Sequence, residues 1–154
     1  AYPHTSNWDF CTSMLGLASL GIRAQWLAKD TMFTGAKGYF FRAIGGVGVN
    51  RRERTGFVQK IVEEFNTRES FNLMVAVEGT RKKQEGWKSG FYRIAVAAKV
   101  PLLLATVDYP KKEIGLLAVV DLTGDEAVDM ARIAAAYAGR EGYNHAQASP
   151  IRLM

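Results

Sequence analysis

The sequence predicts an α/β layer fold, a mixed and largely parallel β-sheet flanked by helices. Apolar runs of strand length recur at Leu73 to Val77, Pro101 to Asp108 and Ile114 to Val120. Helical spacing stands between such runs. It is clearest over residues 55 to 69, where Phe57, Val58, Ile61, Val62 and Phe65 share one stripe and Lys60, Glu63 and Glu64 face away. Strands that alternate with helices argue for helices layered on a sheet.

Taken in order, residues 6 to 20 read as a helix, with Thr5 or Ser6 as N-cap and Gly16 and Gly21 bracketing its end. A short strand is expected at Ile22 to Leu27. A stretch punctuated by Gly35 and Gly38 follows, with the aromatic cluster Tyr39-Phe40-Phe41. The run IGGVGVNR, residues 44 to 51, reads as a turn and a short strand. After the amphipathic helix and the strand at Leu73 to Val77 comes Glu78-Gly79-Thr80-Arg81 and a basic loop. Gly90 to Lys99 suits a helix, and the strands from Pro101 and Ile114 follow it. Thr123-Gly124-Asp125-Glu126 fits a capping box that opens an Ala-rich helix to about Ala138. No repeat, low-complexity tract or linker interrupts the chain, so residues 1 to 154 are expected to form one domain.

The 154 residues are 48% hydrophobic and 23% charged, the balance of a globular protein with a real core. The formal charge of +5 favours anionic partners, whether phosphates, anionic lipid surfaces or nucleic acid. One cysteine, Cys11, excludes an internal disulfide framework and points to a reducing compartment. Two histidines and one cysteine without ligand spacing argue against a metal site. No apolar run approaches the roughly 20 residues that span a bilayer, and no signal sequence is visible.

Two stretches carry chemistry. In HTSNWDF, residues 4 to 10, His4 precedes a helix start and Asp9 falls in its first turn. Folded back, the carboxylate can fix the tautomer of the imidazole and stabilise the imidazolium, leaving the other ring nitrogen to deprotonate a hydroxyl. Ser6-x-x-Asp9 matches a capping box equally well. The second stretch, Glu78-Gly79-Thr80-Arg81, follows a buried strand, and α/β folds place ligands at the carboxyl ends of strands. There Gly79 permits close backbone approach, Thr80 offers a hydroxyl, and Arg81 offers a fork suited to phosphate. The plainer alternative is a polar strand exit with a surface ion pair.

Together these motifs resemble the 1-acyl-sn-glycerol-3-phosphate acyltransferase family, especially its short bacterial members. His4 and Asp9 match the family's His-x-x-x-x-Asp. WLAKDTMF (26 to 33) and FFRAIGGVGVNR (40 to 51) match its second region, EGTR (78 to 81) its third, and Val100-Pro101 its fourth. Order and spacing agree over about residues 3 to 110. The chain departs from the family at Leu104, where many relatives carry another proline. The family also carries sequence ahead of its His motif, often a strand and in some members a membrane-binding element, which the domain as given lacks.

The resemblance implies a glycerol-3-phosphate acyltransferase-like domain that moves a fatty acyl group from acyl-CoA or acyl carrier protein to the free hydroxyl of a lysophospholipid. It implies His4 as general base, Asp9 as its orienting partner, no acyl-enzyme and no cofactor beyond the donor thioester. Lys29, Arg51, Glu78, Gly79, Thr80 and Arg81 stand at positions associated with the acceptor phosphate, with Glu78 alternatively a brace paired to a nearby cation. The site is expected at the inner face of the cell membrane, on a cytoplasmic protein in peripheral contact with anionic lipid. Backbone amides at the helix start after His4 are candidate oxyanion donors. Tyr39, Phe40, Phe41, Phe91 and Tyr92 are candidates for an acyl groove or for simple core, Trp87 with Lys88 for a membrane interface, and Arg52 and Arg54 for a solvated or lipid-facing patch. Two rival readings stand beside this one. Cys11 near the His–Asp pair suits a cysteine hydrolase or thioesterase, and the basic charge suits a non-catalytic domain that binds anionic lipid or nucleic acid, although no nucleic-acid motif is present. His145 reads as a surface residue.

Overall fold

The computed structural model describes residues 1–49 and 56–154. Among them are five α-helices: α1 (Trp8–Ser19), α2 (Gly35–Ala43), α3 (Phe57–Thr67), α4 (Gly90–Ala98) and α5 (Glu126–Ala136). Five strands accompany them: β1 (Gln25–Lys29), β2 (Gly46–Val49), β3 (Leu73–Met74), β4 (Leu102–Asp108) and β5 (Glu113–Val120). The expected α/β class is what forms. β1 lies between β2 and β3 and is parallel to both, whereas β4 and β5 form an antiparallel pair. Residues 1 and 2 link the two sheets, because the Ala1 nitrogen donates to Val75 O at 2.8 Å and Tyr2 N to Ala105 O at 3.1 Å.

Local chemistry explains where the elements differ from expectation. α1 closes with Gly21 N donating to Ala18 O and Ile22 N to Leu17 O, the paired bonds of a Schellman ending. That ending uses Ile22, so the next strand starts at Gln25 rather than at residue 22. The Gly-punctuated aromatic stretch, to which the sequence assigns no element, forms the helix α2. Gly38 makes that helix possible, since a Cβ there would stand 2.1 Å from Phe33 O. β3 is shorter than the apolar run Leu73 to Val77, for its pairing with β1 ends at Met74 and the next carbonyl turns to Ala1. Asp125 caps α5, accepting from Ala127 N at 3.0 Å and Val128 N at 3.1 Å.

The core lies between β4–β5, α4 and α5, where Leu104, Val120, Met130, Ile133 and Tyr137 are buried. Trp87 stands inside it, 1% exposed, with ring contacts to Tyr2, Phe91 and Tyr137. This corrects its expected place at a membrane interface. The C-terminal segment runs alongside and covers it, Trp87 N donating to Arg152 O and Met154 N to Trp87 O. Phe91 and Tyr92 are core residues as well. A second aromatic group forms under β1, where Trp26 packs against Phe10, Phe33 and Phe41 and donates its indole N–H to Ile44 O. Tyr39 and Phe40 point outward on α2.

Candidate active site

His4 ends the extended segment that leads into α1, and its backbone N–H donates to Glu78 Oε2 at 2.7 Å. This bond joins the two sequence motifs across 74 residues. Glu78 is fully buried, and its other oxygen accepts from Ser149 N at 2.7 Å. The carboxylate is therefore a brace between three segments, satisfied by backbone amides rather than by a cation or a ligand phosphate. Burying an acid this deeply is tolerable only with such charge-assisted hydrogen bonds.

Asp9 is held even more tightly. Its Oδ2 accepts from Thr5 N and Ser6 N, each at 2.7 Å, and its Oδ1 accepts from the Tyr109 hydroxyl at 2.8 Å. The same Oδ2 lies 3.5 Å from His4 Nδ1. That distance is long for a hydrogen bond and suits an ion pair that tightens as the ring gains a proton. Burial pushes the Asp9 carboxyl up, but the His4 ring, the Ser6 and Thr5 amides and the Tyr109 hydroxyl outweigh it and hold it below its ordinary value. The His4 side chain keeps 23% of its surface exposed and that of Asp9 only 4%, so an incoming hydroxyl can meet the ring but not the carboxylate.

The capping and catalytic readings of HTSNWDF thus coexist in one carboxylate. Asp9 reaches back to the Ser6 amide and Ser6 Oγ accepts from Trp8 N at 3.2 Å, although the residue that caps α1 is Asn7, without a side-chain cap bond, rather than the expected Thr5 or Ser6. Of the expected oxyanion donors, the Thr5, Ser6 and Trp8 amides are committed to Asp9 and Ser6.

The strand topology collects the remaining candidates. β1 and its parallel neighbours point their carboxyl ends the same way, and Lys29, exposed, is the last residue of β1. The 78–81 loop leaves beyond β3 on that same edge. Gly79 takes a φ of +67°, a left-handed conformation open to glycine at little cost. Thr80 is half-buried, and its Oγ1 accepts from Lys82 N at 3.4 Å. Arg81 is exposed and donates to Asn7 Oδ1, beside the start of the helix that carries Asp9. Arg51, with Arg52 and Arg54, lies outside the described residues.

Cys11 is exposed on α1, two positions past the buried Asp9. Two residues turn a helix by about 200°, so the thiol faces away from the side that meets His4. A cavity of about 50 Å³ beside the pair is lined by His4, Asp9, Phe10, Met74, Thr106 and Val107, and is too small for a fatty acyl chain. A larger hollow of about 600 Å³ between α3 and α4 contains none of the His4–Asp9 or 78–81 residues. His145 is exposed. Among the described residues no helix is long and apolar enough to cross a membrane.

Sequence reasoning missed Tyr109, Ser149 and Asn144, whose N–H and side-chain amide bond Thr5. The one available signal was position, since Tyr109 directly follows the last residue of β4. A His–Asp pair with a buried carboxylate and an accessible imidazole, beside an arginine at the carboxyl edge of a parallel sheet, is equipped to activate a hydroxyl near an anionic group. No curated protein and no solved structure matches the chain. The family model described as Acyltransferase matches residues 1–107, more than half of the chain, and the protein belongs to that family.

Proposed function

We propose that the protein transfers a fatty acyl group from an acyl-CoA or acyl carrier protein thioester to the free hydroxyl of a lysophosphatidate-like lysophospholipid. The observation that carries this reading is the His4–Asp9 pair, with Nδ1 turned to a buried, multiply bonded carboxylate at 3.5 Å. In this scheme His4 Nε2 takes the acceptor's hydroxyl proton, and the oxygen attacks the thioester carbonyl directly. The tetrahedral intermediate collapses with loss of thiolate, which receives the proton from the imidazolium. Asp9 stabilises that imidazolium in between. No acyl-enzyme forms and no cofactor is needed.

Arg81 holds the acceptor phosphate, with Thr80, Lys29 and Arg51 as further contacts. Glu78 and Gly79 shape the loop rather than touch the ligand. The exposed side chains of Trp8, Leu15, Tyr39 and Phe40, with the net charge of +5, support peripheral contact with an anionic membrane surface on the cytoplasmic side.

The test incubates the protein with acyl-CoA and with acyl carrier protein thioester against a panel of lysophospholipids, following thioester loss and new ester. Transfer that vanishes in His4→Ala and survives in Cys11→Ala is expected. Absence of transfer to every acceptor by the folded protein would sink the proposal. Activity lost in Cys11→Ala would replace it with a cysteine hydrolase.

A further inference from the structure

We propose that Tyr109 is a positioning residue for the base: its hydroxyl, 2.8 Å from Asp9 Oδ1, sets the carboxylate so that Oδ2 faces the His4 ring. The inference rests on the reading of His4 as general base and extends the site beyond the stretch that the family model matches, which ends at residue 107.

A carboxylate held on one oxygen alone keeps rotational freedom about its Cβ–Cγ bond. Asp9 is fixed at both ends. Oδ2 takes the Thr5 and Ser6 amides, and Oδ1 takes the phenol. Only with both oxygens anchored does the plane of the carboxylate stay aimed at Nδ1 while the ring gains and loses a proton.

The phenol is itself anchored from three directions. Its backbone N–H donates to Glu141 O at 3.1 Å. Its ring meets Tyr143 edge-to-face, with centroids 5.2 Å apart. The residue before it, Asp108, is 1% exposed and paired with Arg140 and Lys111, each at 3.3 Å. Burial and the bond to Asp9 push the Tyr109 hydroxyl up to about 12, so it remains a donor throughout the working pH range. The titratable groups facing the Asp9 carboxylate are thus His4 and Tyr109, with Tyr143 behind the phenol.

Removing the hydroxyl has a predictable sign. Tyr109 withdraws charge from Asp9, so without it the carboxylate becomes more basic and its orientation loosens. The test records the ring resonances of the two histidines of the full chain by NMR at one fixed pH, with exposed His145 as internal reference. In Tyr109→Phe the His4 ring resonances are expected to shift relative to the parent, with those of His145 unmoved. In an Asp9→Asn background the same substitution should leave His4 unmoved, because its effect passes through the carboxylate.

With lysophospholipid acceptors, Tyr109→Phe is expected to lower kcat about tenfold and change KM by less than about twofold. Phenylalanine keeps the ring contact with Tyr143, and a thermal melt of each variant reads folding separately. His4 ring resonances that do not move in folded Tyr109→Phe overturn the assignment, as does a shift that persists in Asp9→Asn. If the NMR coupling is present while the parent protein transfers no acyl group, the positioning contact stands and the proposed function falls.

Discussion

At the scale of single residues, the site divides into groups that meet substrate and groups that hold those in place. In the proposed reaction His4 belongs to the first kind, and His4→Ala is expected to lower the transfer rate by about 10²–10⁴-fold, the range of a lost general base. Arg81 belongs there too. Arg81→Ala is expected to raise KM for the acceptor at least about tenfold with kcat less affected, and Arg81→Lys to recover only part, since a lysine keeps the charge but loses the fork. Steady-state kinetics with a phosphate-bearing acceptor and one lacking the phosphate checks both, because neither change should matter when the phosphate is absent. The residues proposed to react were singled out in the sequence because their chemistry depends on residue type at short spacing: His4 and Asp9 lie five apart, and 78–81 is contiguous. Their supports were not. Glu78 reads as a ligand or ion-pair partner in sequence, yet it bridges His4 N and Ser149 N. No local pattern announces a bond between backbone amides 145 residues apart that meet on one carboxylate.

At the scale of elements, α2 is the helix to which the sequence assigns no element. Two glycines within four residues weaken helix propensity by about 1 kcal/mol each, so no helical signal stands out there. Packing overrides that cost, because Gly38 lets the helix lie against the backbone at Phe33 while Phe41 reaches Trp26. Gly38→Ala, which would improve an isolated helix, is therefore expected to destabilise the protein by about 1–3 kcal/mol, the usual range for forcing atoms into a filled space. Chemical denaturation midpoints measure it, and a stabilised variant would show that the close approach at Phe33 is not maintained. The long amphipathic stripe was easier to read: the helix expected over residues 55 to 69 is observed at Phe57–Thr67, because its apolar positions fall at true helical spacing. β3 was harder, since apolar character says that a segment is buried but not which edge it pairs with.

At the scale of the whole molecule, residues 108–154 complete what the family stretch begins. They supply the phenol on Asp9, the amide on Glu78 and much of the core, including Val120, Met130, Ile133 and Tyr137. They also carry two of the three acids on which an acid limit to stability depends. Asp9, Asp108 and Asp129 are 3%, 1% and 0% exposed, and all three carboxyls sit below their ordinary value. In each case burial pushes upward and is outweighed. The Lys111 amide and ammonium and the Arg140 guanidinium do this for Asp108, and the Thr123 and Gly124 amides with the Tyr92 and Thr123 hydroxyls do it for Asp129. A carboxyl that binds protons less readily folded than unfolded makes stability rise with pH across the window between the two values. The contribution is complete above the unfolded value, near 3.9 for aspartate, and is lost as pH falls through the folded one. Thermal melts should therefore hold nearly level, as far as these three acids are concerned, from about pH 6 to pH 5 and fall steeply below about pH 4. Because Asp129 lies far in sequence from the His–Asp pair and bonds only structural groups, Asp129→Asn should lower stability at neutral pH and flatten the acid slope, while the transfer reaction of the folded fraction keeps its pH profile. A melting temperature that stays level down to pH 3 would contradict the role assigned to all three acids.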